Sequence, residues 1–297
     1  MKIEYLLVLL IGCIWTAIGI TMAEARKKKC QISLFYLIGS LLAMGLLIII
    51  SQIFDSTPFF SLKTIAAAVL FFTGSLLNGA GQALSMFNLR FGGRALAYSI
   101  PQLAFVFPYF WSLIFWKQPC SFASILGLVL IGAAICYLGL KKSTSRSSLP
   151  LNRLAIGLGA MCLLGCSQIC IITPTLFPVE IRLSSWHGAV MIFGANVVLF
   201  AIWSFREIRL HPVHWKVDVK YGLLWGGCAV SSYSVLLPTL TILGRMNEAG
   251  IVFPVSCAIS ILLFSIFTSI RYKEKQTWSQ KLAFASICAG ILLVKLS

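Results

Sequence analysis

Acidic residues are scarce: eight Asp and Glu stand against 24 Lys and Arg, and all charged residues together make up 11% of the 297. Soluble domains carry about a quarter charged residues, so a water-exposed surface of the ordinary kind is excluded. Histidine occurs three times, with no HExxH pattern and no group of His and Asp sharing a loop. That removes the usual signatures of metal-assisted hydrolysis. No GxxxxGK[ST] loop is present, which disfavours an ATP-driven pump. The ten cysteines form no CxxC pair and lie mostly inside apolar runs, so neither a disulfide framework nor a zinc site is expected. No metal, cofactor or catalytic residue is therefore expected.

What the chain does have is apolar length. Hydrophobic residues make up 59% of it, and the mean hydropathy is +0.93. Runs of the roughly 17–25 residues that cross a bilayer lie near 4–23, 33–54, 64–87, 93–116, 121–140, 153–173, 186–205, 219–242, 248–270 and 278–296. The first run is followed at once by "RKKK" (26–29) and is too long for a signal-peptide core, so it is read as a span despite "AEA" at 23–25. The expected fold is an all-α polytopic membrane protein, with ten transmembrane helices as two inverted five-helix repeats. The repeats are 1–140 and 153–297, with a polar cytoplasmic linker at 141–152.

Loops after odd-numbered spans hold 18 of the 24 basic residues. The positive-inside rule places them in the cytoplasm and both termini outside. A multi-pass protein of a bacterial inner (plasma) membrane is the expected location. The net charge of +16 sits in short clusters between spans, which argues against nucleic acid as a partner. The expected partners are a small-molecule substrate and membrane lipid, with the chain a monomer or homodimer.

Two stretches echo each other. "AFVFP" (104–108) falls in the fourth span and "GIVFP" (250–254) opens the ninth. Each is followed by a short turn bearing Lys and then by a Gly- and Ala-rich span. On this layout the chain resembles the drug/metabolite transporter superfamily in its ten-span EamA-type form. The turn "YKEKQTWSQKLAFASICAG" keeps the acid common in that family as Glu274, whereas "WKQPCSFASILGLVLIGA" has Gln118 near the corresponding place. "AYSIPQ" with "WSLIFWK" is also similar to the sugar-porter branch. The resemblance implies transport of small metabolites, amino acids, sugars or drugs by alternating access.

Proline in a membrane helix frees backbone groups that need other partners, so Pro101, Pro108 and Pro254 are candidate helix breaks or gates. Tyr98, Gln102, Phe105 and Tyr109 share one helical face, as do Asn78, Gln82 and Ser85. Amides are costly in lipid and repay burial only toward protein or water. Asn78, Gln82, Tyr98, Gln102 and Tyr109 are therefore candidate substrate contacts, together with Trp15, Gln168, Asn196, Ser231, Tyr233 and Ser256. Interhelical bonding is the competing role for these side chains. Cys162, Cys166 and Cys170 share a face expected to pack against another helix, as are Ala123, Gly127, Gly132, Ala285 and Ala289. All eight acids lie in loops or near span ends, and Glu248 is the candidate coupling residue. His187, His211 and His214 are expected to be solvated.

The function expected from these residues is secondary active or exchange transport of a small neutral or zwitterionic metabolite, such as a sugar or amino acid. A multidrug or toxic-metabolite exporter is the alternative. An integral membrane enzyme acting on lipid headgroups is the alternative from another class; its one foothold is the His211-Pro-Val-His214 motif.

Overall fold

The structure, a computed structural model, describes residues 3–55, 61–89, 94–115, 117, 121–140, 151–210, 212–246, 248–273 and 277–296. The turn residues Gln118 and Glu274, His211 and linker residues 141–150 lie outside the described residues. Eleven α-helices follow one another along the described chain. They are α1 (Ile3–Lys27), α2 (Ile32–Phe54), α3 (Ile65–Asn88), α4 (Arg94–Gln102), α5 (Val106–Phe115), α6 (Phe122–Leu140), α7 (Leu151–Thr175), α8 (Ser185–Leu210), α9 (Trp215–Arg245), α10 (Val252–Arg271) and α11 (Trp278–Leu296). Among the described residues, eight stretches are long and apolar enough to cross a membrane: α1, α2, α3, α4 with α5, α7, α8, α9 and α10. In α6 and α11 the apolar stretch is shorter, at Phe122–Ala134 and Lys281–Gly290.

Large apolar side chains face outward along these helices, among them Ile53, Phe110, Ile202, Phe205 and Ile270. Water would penalise such a surface, whereas hydrocarbon does not. The molecule is a multi-pass, all-α integral membrane protein.

Several helices overrun the expected spans. Helix α1 extends through Arg26 and Lys27, because cations suit the partial negative charge of a helix C-terminus and their stems reach past the apolar zone. The fourth span is broken: α4 ends at Gln102, Leu103–Phe105 form one 3-10 turn, and α5 begins at Val106. Pro108 supplies the reason. It has no N–H to give the carbonyl four residues back, and that carbonyl belongs to Ala104, the centre of the 3-10 turn. Pro254 stands in the same relation to Gly250, the centre of the 3-10 turn Ala249–Ile251 that precedes α10. The "AFVFP" and "GIVFP" echoes thus adopt the same local structure.

Packing pairs α1 with α9 and α10, α2 with α8 and α9, α3 with α7 and α8, α4 with α7 and α10, and α6 with α11. The α2–α9 crossing brings backbones into contact. A Cβ on Gly226 would stand 2.5 Å from the Gly39 carbonyl oxygen. At the α6–α11 crossing a Cβ on Gly290 would meet the Gly127 oxygen at 2.6 Å. Gly127 therefore packs as expected, while Gly132 borders open space and Ala285 and Ala289 face outward. The buried stripe of α11 runs instead through Ala283, Ile287 and Gly290. The expected cysteine face is also corrected. Cys162 and Cys166 are exposed, because α7 turns Ala160, Leu164, Ser167 and Ile171 inward.

Candidate functional site

Midway along the helices lies a cavity of about 80 Å³, walled by α1, α3, α4, α7, α8, α9 and α10. A void holds a water once about 10–15 Å³ is open to it, so this one has room for a compact solute. Trp15, the middle residue of α1, lines it, as do Asn78 and Gln82 of α3 and Tyr98, Pro101 and Gln102 of α4. Gln168 enters from α7, Asn196 from α8 and Tyr233 from α9. No Asp, Glu, Lys, Arg or His is among the described lining residues.

The remaining candidates fall outside the lining, each for a local reason. Tyr109 is buried, and its carbonyl accepts a hydrogen bond from the Ser112 hydroxyl at 2.7 Å. The 3-10 turn between Gln102 and Val106 winds three residues per turn instead of 3.6, which rotates the start of α5 by about 60°. Tyr109 thereby leaves the face of Tyr98 and Gln102. Ser231 points outward and donates to the Gly227 carbonyl at 3.0 Å. Its neighbour Ser232 lines the cavity in its place. The signal was present in the sequence: Trp225, Ala229, Ser232 and Leu236 follow the i, i+4, i+7, i+11 spacing of one helical face, and all four line the cavity. Ser256 is buried against α1, donating to the Val8 carbonyl at 3.0 Å. Pro108 and Pro254 are buried in packing, and Phe253 is the cavity residue of α10.

Hydrogen bonds tie the cavity walls together. The Trp15 indole N–H donates to Ser232 Oγ at 2.9 Å, joining α1 to α9. Asn78 Nδ2 donates to the Tyr233 hydroxyl at 3.1 Å, joining α3 to α9. The Tyr98 hydroxyl donates to the Trp15 carbonyl at 3.0 Å, so Ser260 Oγ, 2.6 Å away, is the donor in their shared bond. Gly19 makes room for this ring: a Cβ there would lie 2.7 Å from Tyr98 Cε2. Three other buried polar atoms of lining residues have no hydrogen-bond partner among the described residues: Gln168 Oε1, Asn196 Oδ1 and Trp225 Nε1.

The ionisable groups lie toward the helix ends. Glu248 accepts a hydrogen bond from the Tyr5 hydroxyl at 2.7 Å, linking the start of α1 to the turn before α10. It is outside the cavity. At the other end of α1, Glu24 accepts from the Tyr272 hydroxyl at 2.8 Å and pairs with Arg271 at 3.3 Å. His187 is not solvated: it is buried with its Nδ1 3.7 Å from Asp55 Oδ2. The first turn of α8 packs beneath the last turn of α2, which shields both groups.

Asp218, in the first turn of α9, is fully buried. Its Oδ1 accepts the Gln31 backbone N–H at 2.9 Å and its Oδ2 accepts that of His214 at 3.2 Å. Glu207 of α8 accepts the Ser33 N–H at 3.1 Å. Carboxylates from two other helices thus satisfy orphan donors at the start of α2, where negative charge also suits the helix dipole. Cys30 lies beside Asp218, and burial together with that carboxylate pushes its thiol up to about 12.

No family model and no curated protein matches the chain. Among solved structures, one described only as the crystal structure of a protein superposes with a TM-score of 0.66 at 14% identity. The match covers 97% of this chain and 96% of that one. At that identity the likeness concerns the fold alone.

Proposed function

We propose that this protein is a secondary carrier of the drug/metabolite transporter type, moving a small neutral or zwitterionic solute by alternating access. On this reading ten helices form two inverted halves, 1–140 and 153–297. The packing supports that division. Exchanging α1 with α7, α2 with α8, α3 with α9, α4–α5 with α10 and α6 with α11 maps the helix pairs onto themselves. Under it α1·α9 becomes α7·α3 and α1·α10 becomes α7·α4, while α2·α8 and α6·α11 are their own images. The matching 3-10 turns before Val106 and Val252 obey the same exchange.

The observation that carries the functional reading is the uncharged polar cavity midway along helices drawn from both halves. Inverted repeats place transport sites at such an interface, and a headgroup enzyme would need acids, bases or metal ligands clustered in the site. With no carboxylate among the described lining residues, proton coupling through the cavity is not expected, and exchange or facilitated movement fits better.

The test is counterflow in proteoliposomes with labelled sugars, amino acids and nucleosides. Saturable flux is expected, reduced about tenfold or more by Gln102→Ala, in line with one hydrogen bond lost to a neutral solute. Flat responses together with turnover of a lipid would overturn the carrier reading in favour of the enzyme.

A further inference from the structure

The polar groups around the cavity divide into two sets. Trp15, Asn78, Tyr98 and Ser232 already spend hydrogen-bonding groups on one another, on Tyr233 or on Ser260. They hold the walls together. Gln168, Asn196 and Trp225, on α7, α8 and α9, each keep a buried polar atom with no partner among the described residues. Asn196 is 2% exposed and Trp225 5%. Buried polar atoms in folded proteins are almost always paired. Among the described residues, unpaired ones also occur away from the cavity, at Ser40, Asn88 and Trp111, but these three belong to residues lining a cavity in which a solute can supply the missing partners.

From these residues we infer the class of solute: an uncharged, compact molecule with clustered hydrogen-bond donors, a polyol, small sugar or carboxamide, held by Gln168, Asn196 and Trp225. The inference rests on the carrier reading above. Two carbonyl oxygens, Gln168 Oε1 and Asn196 Oδ1, call for donors on the solute, and the Trp225 indole N–H calls for one acceptor. Asn196 Oδ1 rests against Gly79, 2.5 Å from where a Cβ would stand.

Charge is what the site does not offer. A cation would find neutral carbonyls and rings with no counter-carboxylate among the described lining residues, and an anion would find no Lys, Arg or His there. An anion would leave water without compensation, and a cation would recover only a small part of its hydration by cation–π contact with the rings. A zwitterion meets both penalties at once. Phe193 stands edge-on to Tyr233 and to Trp225, with ring centroids 5.2 Å and 6.4 Å apart. Their rings supply an apolar surface for the C–H face of a sugar or polyol.

The experiment uses the full-length protein in proteoliposomes with four labelled probes: ribitol, alanine, choline and lactate. A parallel thermal-shift series in detergent uses the same compounds and acetamide. Saturable ribitol flux is expected, with Asn196→Leu and Gln168→Leu each raising KM about tenfold and Tyr109→Phe, outside the cavity, leaving it unchanged. Carriage of alanine, choline or lactate but not ribitol overturns the solute class and leaves the carrier reading standing. A thermal shift by ribitol or acetamide that Asn196→Leu abolishes, without flux of any probe, supports the solute class and overturns the carrier reading. The absence of both flux and thermal shift with ribitol and acetamide in the wild-type protein overturns the inference, whatever the variants do.

Discussion

Asp218→Ala removes one carboxylate and uncaps two helices. In the folded protein its oxygens accept the Gln31 N–H at 2.9 Å and the His214 N–H at 3.2 Å, and the side chain is fully buried. A hydrogen bond to a charged group contributes about 1.5–3 kcal/mol. Losing both, with two buried N–H groups left unpaired, costs about 3 kcal/mol at the least. For a chain this long each kcal/mol shifts the midpoint by about 1.6 °C, so Tm falls by about 5 °C or more. Asp218→Asn keeps the shape but turns an NH2 toward one of the two donors, so it loses about half as much. Glu207→Gln alters a single bond of 3.1 Å to the Ser33 N–H at a half-buried site and costs about 1 kcal/mol. The assay is thermal unfolding in detergent, read by size exclusion after heating, with the three variants ranked. An Asp218→Ala protein that melts within about 1 °C of wild type would refute the double-cap argument. So would a ranking in which Glu207→Gln is the most damaging.

Cys30 should resist alkylation. With its thiol at about 12, the thiolate fraction at pH 8 is about a thousandfold below that of a free cysteine. Asp218→Ala, which removes the carboxylate but leaves the larger effect of burial, should raise labelling only in part in a protein that keeps Cys30 as its sole cysteine. Because the folded thiol binds its proton more tightly than the unfolded one, this group's contribution to stability is complete below about pH 8.5 and is lost as pH rises toward 12; equal labelling at pH 8 and pH 10 would contradict this. Gly226→Ala drives a methyl to 2.5 Å from the Gly39 carbonyl and should destabilise by about 1–3 kcal/mol. Gly227→Ala, where nothing lies within 4 Å, should be neutral or stabilising by up to about 1 kcal/mol, and a reversed order in thermal unfolding would sink the crossing argument. Gly19→Ala pushes on the Tyr98 ring and should lower flux about tenfold or more, whereas Gly45→Ala, beside open space, should leave it unchanged.

Some of this molecule is dictated by sequence without tertiary information. Apolar runs of span length form helices because hydrocarbon leaves the backbone no other partners. Amides inside those runs turn inward because lipid offers them nothing, and for that reason Asn78, Gln82, Gln102, Gln168 and Asn196 meet at one cavity. The scarcity of acids is in keeping with a cavity that has no Asp or Glu among its described lining residues.

What sequence periodicity could not supply is the rotation of each helix about its own axis relative to its neighbours. Ser231 and Ser232 differ by one residue, and only the packing of α9 against α1 selects Ser232, through the Trp15 indole. Tyr109 shared a face with Tyr98 on paper, and one 3-10 turn ahead of Pro108 rotated it away. Contacts between helix ends were equally hidden. Gln31 and Asp218 are 187 residues apart in the chain, and His187 meets Asp55 across a shorter but still long gap. Local pattern sets what a helix wants to bury, but the partner it buries against depends on which ends the whole bundle brings together.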